Sequence, residues 1–446
     1  MAARAIARKA QRWMQAIGGN AAVRIFTFAT GIVLARVLGP TGRGLLTVAL
    51  LWPSVVTSVG AIVNTQTSMY FSARFGARGY ARCIRLARLN GLALLPVAVL
   101  INWLALRRHY AGIFAAADLY CVTIPLTLVF GVYAGALLSR GRIGGYWAVR
   151  ALASVGPLLA VLALAATHRL TVNSYVVGAV AGLALGTAVA AHLASRRRPE
   201  RISEGGATPR RRDIGSYGVK IVATSLPAQA NFRLDQLLMS VLVAPEVIGE
   251  YVVATTWSSL VSVIGTALGS VVQSDSAQLD GNDPVAVSAV LRNMRRSFAC
   301  LIAVAIVAMA AAGIGLPLVF GRRYSPAFAP AVLLCVSGLF ANAKLIIRDM
   351  GRGLGHPSLP LAPETAGVIV RVPCLLILLP FFGGTGAAVA SLVSTAVSLG
   401  ALCVRAERLL PNVSMKDFVP RVSDFSDLGL FGANAKSAVA VAPGSD

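Results

Sequence analysis

Charge is scarce in this chain. Only 13% of its 446 residues are Asp, Glu, Lys or Arg, whereas soluble domains carry about a quarter. A soluble chain of this length would fold as about two or three domains, and there is too little polar sequence here to cover them. Acidic residues are the scarcest, 17 Asp+Glu against 41 Lys+Arg. The six cysteines (Cys83, Cys121, Cys300, Cys335, Cys374, Cys403) are scattered and form no CxxC pair. They read as small packing residues and not as a disulfide or zinc framework. The four histidines (His109, His168, His192, His356) lie far apart and form no HExxH or other ligand spacing. No GxxxxGK[ST] run is present to cradle ATP. Gly384-Thr385-Gly386 imitates part of a dinucleotide fingerprint, but it opens an apolar block instead of following a strand, so helix packing explains it. The outer loops are too short to carry the acidic residues of a glycosyltransferase or polymerase. We expect no enzyme activity, no metal and no cofactor.

What is abundant is apolar sequence. Hydrophobic side chains make up 56% of the chain, mean hydropathy is +0.72, and the apolar residues come in blocks of about 20, the length that crosses the bilayer core as a helix. A membrane β-barrel would show alternating strands of about 10 residues instead. The chain therefore reads as an all-α polytopic membrane protein with about twelve transmembrane helices between residues 16 and 404. The basic segment ahead of residue 16 resembles the start of a signal peptide, but the following span is too long for one and is expected to be retained.

The net charge of +24 follows from topology. Lys and Arg accumulate on the cytoplasmic side of membrane proteins, and alternate loops here hold roughly 29 of them against roughly 6. Both termini are accordingly expected in the cytoplasm, with Arg78 and Arg211 inside and Arg43, His109 and Arg322 outside. Anionic lipid headgroups are natural partners for such loops; nucleic acid is not needed to explain the charge.

One clear linker, RRRPERISEGGATPRRR (196–212), divides the spans six and six. The expected organisation is an N-terminal lobe (1–195), a basic cytoplasmic linker (196–216), a C-terminal lobe (217–410) and a mobile cytoplasmic tail (411–446). The tail has an amphipathic stretch around Phe418 to Phe431. The two halves also repeat. LARVLGPTGRGLLTVALLWPSVVTSVG from Leu34 lies over LMSVLVAPEVIGEYVVATTWSSLVSVIG from Leu238 with one extra residue. The overlay pairs Pro40 with Pro245, Gly44 with Gly249, Ala49 with Ala254, Trp52 with Trp257, Ser54 with Ser259 and Gly60 with Gly265. Six spans separate the copies, so both run the same way through the membrane. Two parallel six-helix lobes around a central cavity are expected.

These segments resemble a known family. LARVLGPTGRGLLTVALL is similar to the first hairpin of bacterial polysaccharide-repeat flippases, with their aRxLGpxxxG pattern. NFRLDQLLMSVLVAPEVIGEYVVATTW resembles that family's seventh and eighth helices, with an Asp, a short loop, then Gly-x-Tyr and Ala. VFGRRYSPAFAPAVLLCVSGLFANA and MGRGLGHPS fit its ninth-to-eleventh helix region. The family is a branch of the multidrug/oligosaccharidyl-lipid/polysaccharide exporter superfamily. The resemblance implies a flippase that carries undecaprenyl-diphosphate-linked oligosaccharide across the bacterial plasma membrane, by alternating access, for polysaccharide biosynthesis. It implies a polyprenyl-diphosphate-linked glycan as substrate, with membrane lipids, a polysaccharide polymerase and other glycan-assembly proteins as partners. The chain departs from some relatives in having about twelve spans and not fourteen, and it lacks the acidic set suited to cation-coupled drug export.

Charges inside spans are the candidate site. Each costs about 2.5–3.5 kcal/mol at a helix centre, so such residues face an interior or a wet cavity. Arg24 lies mid-way along span 1 and shares a helical face with Asn20 and Thr27. Span 7 carries Lys220, Thr224, Asn231 and Asp235 along one stripe, with Arg233 pointing elsewhere. Span 11 carries Glu364 and Arg371 on one face; Lys344 and Asn342 lie toward the inner end of span 10. Arg24, Asn20, Thr27, Asn231, Asp235 and Arg371 are the candidate substrate-binding residues. Lys220, Arg233, Lys344 and Glu364 are candidates for cavity or gate. The chemistry fits a diphosphate and sugars, because guanidinium groups clamp phosphate oxygens and amides bind hydroxyls. A structural reading competes with it: Arg371 paired with Glu364, Asp235 paired with a base, and Lys220 and Lys344 snorkelling. Arg36, at the outer end of its helix, reads as an interface anchor. Two rival functions stay open, a cation-coupled multidrug exporter of the same superfamily and a non-transporting membrane scaffold for glycan-assembly enzymes.

Overall fold

The computed structural model describes residues 2–106, 110–195, 210–276, 284–354, 356, 358–410 and 413–426, with 2–17 as backbone only. Every long element in these ranges is a helix: α1 (Ala2–Leu106), α2 (Phe114–Cys121), α3 (Thr123–Ser139), α4 (Ile143–Ala166), α5 (Val172–Ser195), α6 (Arg211–Leu242), α7 (Pro245–Ser276), α8 (Pro284–Phe320), α9 (Phe328–Gly353) and α10 (Leu361–Leu409). The short α11 (Val422–Ser426) lies in the tail. The start of α7 follows from sequence: proline at the first helical position loses no hydrogen bond and presets φ.

Eight stretches are long and apolar enough to cross a membrane. Two of them contain turns. Gly39 (φ 69°) and Gly76 (φ 57°) break α1 into segments 2–38, 40–75 and 77–106, and Gly383 (φ 51°) breaks α10 into 361–382 and 384–409. Only glycine adopts this left-handed geometry without strain. Together with α6, which is too polar to be among the eight, the described residues contain the twelve crossings read from the sequence. Small residues let neighbouring crossings approach. Gly178, Gly182 and Gly186 on α5 face Ala160, Gly156 and Ala153 on α4, the small-residue packing of membrane helices.

The helices gather into two compact units. The first holds residues up to Thr256 with Gly315–Phe328 and Leu375–Ala387. The second holds Trp257–Ile314, Ala329–Cys374 and the chain from Ala388. The first unit thus contains more than the N-terminal half. It also takes the α6–α7, α8–α9 and mid-α10 turns, which alternate along the chain and so share one membrane face, the one expected to be external.

Within the first unit the two copies of the repeat meet. A Cβ on Gly44 would lie 1.7 Å from the carbonyl oxygen of Pro245, and a Cβ on Gly249 would lie 2.0 Å from that of Pro40. These four residues are two matched pairs, and each contacts the partner of the other. Such reciprocity is the mark of a two-fold axis, here relating the span 1–2 turn to the span 7–8 turn. Further along, Gly60 packs on Leu128 of α3, in span 4, and Gly265 packs on Asn342 of α9, in span 10. The same glycine therefore receives the same neighbouring helix in each half. The matched tryptophans differ: Trp257 Nε1 donates to the Ala308 carbonyl at 2.9 Å, while Trp52 Nε1 is buried without a partner.

Of the linker only 210–212 and the start of α6 are described, and residues 196–209 lie outside the described residues. The tail expected to be mobile from residue 411 folds back over 413–426, with Val413 and Phe418 buried; the rest of the tail lies outside.

Candidate functional site

The face of span 1 is defined by its contacts in the first unit. Phe28 meets Phe320 edge-to-face, with ring centroids 6.1 Å apart. Gly31 leaves room for Thr256 of α7. The Ala35 carbonyl accepts a 3.0 Å hydrogen bond from the Tyr324 hydroxyl. Arg36 donates through Nε to the Val319 carbonyl at 2.7 Å and through its Nη2 to that of Leu318. Arg36 thus satisfies carbonyls at the end of α8 that have no partner within the helix, which gives the arginine of the aRxLG pattern a structural task. Together with the Pro–Gly contacts, these residues close the end of the first unit at which the turns lie.

Arg24 lies one helical turn from this closure. Residues 24, 28, 31 and 35 recur at the spacing of one helix face, so Arg24 points the way Phe28 does, about 6 Å further from the turns. It is half-buried. Its Nε is buried without a hydrogen-bond partner, and no ion pair reaches it among the described residues. Asn20, one turn further along the same face, is half-buried. Thr27 is exposed, and its hydroxyl donates to its own helix, to the Val23 carbonyl at 2.8 Å.

The span 7 candidates are placed differently. Asp235 is buried and accepts hydrogen bonds from the Tyr251 hydroxyl and, at 2.9 Å, from the Gln236 N–H. It ties α6 to α7. Arg233, expected to point elsewhere, donates to Gln236 Oε1 at 3.2 Å, so Gln236 links it to Asp235. Asn231 is buried and Lys220 exposed. The side chain of Thr224 lies outside the described residues. No hydrogen bond or ion pair joins Arg24 to Asn231 or Asp235.

In the second unit, spans 10, 11 and 12 share a polar core. The buried Lys344 ammonium lies 3.0 and 3.1 Å from the Glu364 carboxylate oxygens and 3.0 Å from Ser398 Oγ. The buried Arg371 donates through Nη2 to Ser391 Oγ at 2.7 Å. Glu364 thus serves as a counter-ion of Lys344, which does not snorkel. Helical spacing put Glu364 and Arg371 on one face but could not show that α9 delivers a second cation to it. Asn342 donates to Ser262 Oγ at 3.1 Å, holding α9 to α7 beside Gly265.

Tyr251 and the Phe28–Phe320 contact escaped sequence reasoning. Tyr251 had a signal, because the Asp followed by Gly-x-Tyr in NFRLDQLLMSVLVAPEVIGEY is this hydrogen bond written in sequence. Gly249 sits against Pro40, and Tyr251, two residues on, reaches back to Asp235. The two phenylalanines carry no pattern that distinguishes them from lipid-facing ones.

Comparison with solved structures decides the architecture. The lipid II flippase MurJ, in an inward closed conformation, superposes with a TM-score of 0.72 at 13% identity, over 95% of this chain and 92% of that one. The chain has the fold of the MOP transporters. A MATE family transporter of the MOP superfamily, in its inward-facing conformation, matches with a TM-score of 0.67 at 15% identity, over 87% of this chain and 95% of that one. The Vibrio cholerae MATE transporter VcmN, as a mutant, matches with a TM-score of 0.64 at 13% identity, over 91% and 98%. A family described as "Polysaccharide biosynthesis protein" matches residues 121–329. No functionally curated protein matches by sequence. The MOP fold is the two-lobe, all-helical architecture expected from the repeat.

Proposed function

We propose that the chain is a flippase for undecaprenyl-diphosphate-linked oligosaccharide in the bacterial plasma membrane, working by alternating access in polysaccharide biosynthesis. The observation that carries this reading is Arg24: a membrane-depth guanidinium with no ion-pair partner among the described residues, one turn from where the two repeat hairpins close. In this reading it takes a diphosphate oxygen, and Asn20 offers an amide to the substrate. Arg371 supplies a second cation from the other half, next to a lysine already neutralised by Glu364. Asp235 acts through the α6–α7 hairpin. The N-terminal lobe (1–195) and C-terminal lobe (217–410) move against each other, with both termini in the cytoplasm. A polysaccharide polymerase receives the product on the outer side. The family match to polysaccharide biosynthesis and the flippase neighbour support this choice over drug export.

The MATE neighbours favour cation-coupled export as a second reading. Against it, both carboxylates at candidate sites, the buried Asp235 and the half-buried Glu364, are already engaged within the chain.

The test is a deletion strain complemented with variants. Deletion is expected to accumulate lipid-linked oligosaccharide on the inner leaflet. Arg24→Ala at wild-type protein level is expected to leave that accumulation in place. Arg24→Lys is expected to relieve it in part, because charge survives and bidentate geometry does not. Full export by Arg24→Ala would remove the proposed site. Unchanged glycan intermediates with a raised drug sensitivity on deletion would select the export reading.

A further inference from the structure

The chain beyond α10 is gripped by one guanidinium. Two single turns follow Val413, a 3-10 turn at Met415–Phe418 and α11. Each is capped by an aspartate three residues on: Ser414 N–H donates to Asp417 at 3.1 Å, and Arg421 N–H donates to Asp424 at 2.8 Å. Both carboxylates then converge on Arg295 of α8, each at 3.4 Å. Arg295, Asp424 and Phe418 are buried. The segment has only these two acids in its described residues, and both are turned inward.

The outward face is sorted the opposite way. Met415, Val419, Val422 and Phe425 are exposed, Val422 to 90% and Val419 to 62%. Lys416 and Arg421 are exposed among them. An apolar face interspersed with bases and free of acids is the composition of an element lying in a membrane interface. The segment is also tethered there. Five residues separate Met415 from Leu409, the end of the last membrane crossing, a reach of at most about 20 Å. The end of that crossing adds Arg405 and the exposed Arg408, together with one exposed acid, Glu407, whose carboxylate accepts the Met415 N–H at 3.2 Å and so ties the segment to the helix end.

We propose that residues 413–426 form a lipid-surface anchor whose partner is a bilayer containing anionic lipid, and that Arg295 selects the face presented by drawing both aspartates inward. Without Arg295 the two carboxylates are released toward the headgroups, where they repel the anionic lipid that Lys416 and Arg421 attract. The proposal depends neither on the transported substrate nor on the orientation of the chain.

The test uses the full chain in nanodiscs, with Cys300 and Cys374 replaced by alanine and an environment-sensitive fluorophore at Val422→Cys. In discs of phosphatidylcholine with 30% phosphatidylglycerol, we expect a blue-shifted emission, quenching by doxyl-labelled lipid and protection from iodide. In phosphatidylcholine alone, or with Lys416→Gln/Arg421→Gln, we expect the lipid quenching to fall at least twofold. Arg295→Gln is expected to do the same in the anionic discs, with thermal unfolding showing that the bundle is intact. A fluorophore open to iodide in both disc types overturns the proposal. So does protection from iodide without lipid quenching, which would mean that protein covers the face. Unchanged quenching in Arg295→Gln overturns the role of the clamp.

Discussion

Consider replacing Gly44 with alanine. The added Cβ would sit 1.7 Å from the Pro245 oxygen, and real Cβ atoms essentially never come closer than 3.0 Å. Both sides of the clash are backbone, so no rotamer relieves it. The span 1–2 and span 7–8 turns must therefore part by at least about 1.3 Å. Overpacking of this kind costs about 1–3 kcal/mol when structure has to yield. In the proposed alternating-access cycle the relief available is to open this end. If the whole strain is released that way, the open-to-closed ratio rises by roughly 5- to 150-fold. Gly249→Ala meets Pro40 at 2.0 Å and is expected to act in the same direction, somewhat more weakly. Because the two contacts are reciprocal, one opening relieves both, and the double variant should cost less than the sum of the singles. Spin labels at the exposed Thr41 and Glu246 report the separation by pulsed electron resonance in nanodiscs. The expected result is a longer distance population that is minor in wild type and dominant in Gly44→Ala, together with slowed transport. An unchanged distance distribution in a folded Gly44→Ala protein would refute the reasoning, since the turns could not then be in backbone contact.

Other substitutions probe the remaining contacts. Lys344→Met strips Glu364 of its buried cation and is expected to destabilise the second unit by about 3–5 kcal/mol, whereas Lys344→Met/Glu364→Leu should recover most of that; thermal unfolding in detergent separates the two outcomes. Tyr251→Phe removes a hydrogen bond to a buried carboxylate and should cost about 1.5–3 kcal/mol, read in the same way. If Tyr251→Phe is well folded yet inactive, Asp235 does more than hold the hairpin. Gly400 faces open space within α10, so Gly400→Ala should be neutral or stabilise by up to about 1 kcal/mol. A loss of stability there would place an unseen neighbour against that face.

How much of this was written in the sequence depends on how local the physics is. Twelve crossings were legible because hydrophobic length is a local property: a run of about 20 apolar residues must be buried in lipid wherever it falls. The turns at Gly39 and Gly76 were legible for the same reason. The repeat was readable from Pro40, Gly44, Gly60 and their mates because backbone constraints admit few residue types. Pairing was not legible. Helical spacing placed Glu364 on one face with Arg371, and nothing local announced the lysine that α9 brings to the same carboxylate from twenty residues earlier. Asp235 was read as a cavity charge, and the hydroxyl of Tyr251 that reaches it across the α6–α7 turn was not legible beside it. The tail looked unstructured because its single-turn elements are too short to show periodicity, and what holds them is Arg295, more than a hundred residues away in sequence. The sequence by itself determined the class, the number of crossings and the repeat. Only the tertiary structure decided which charges neutralise one another, because ion pairing falls steeply with distance and distances between helices are set by packing that no single helix encodes.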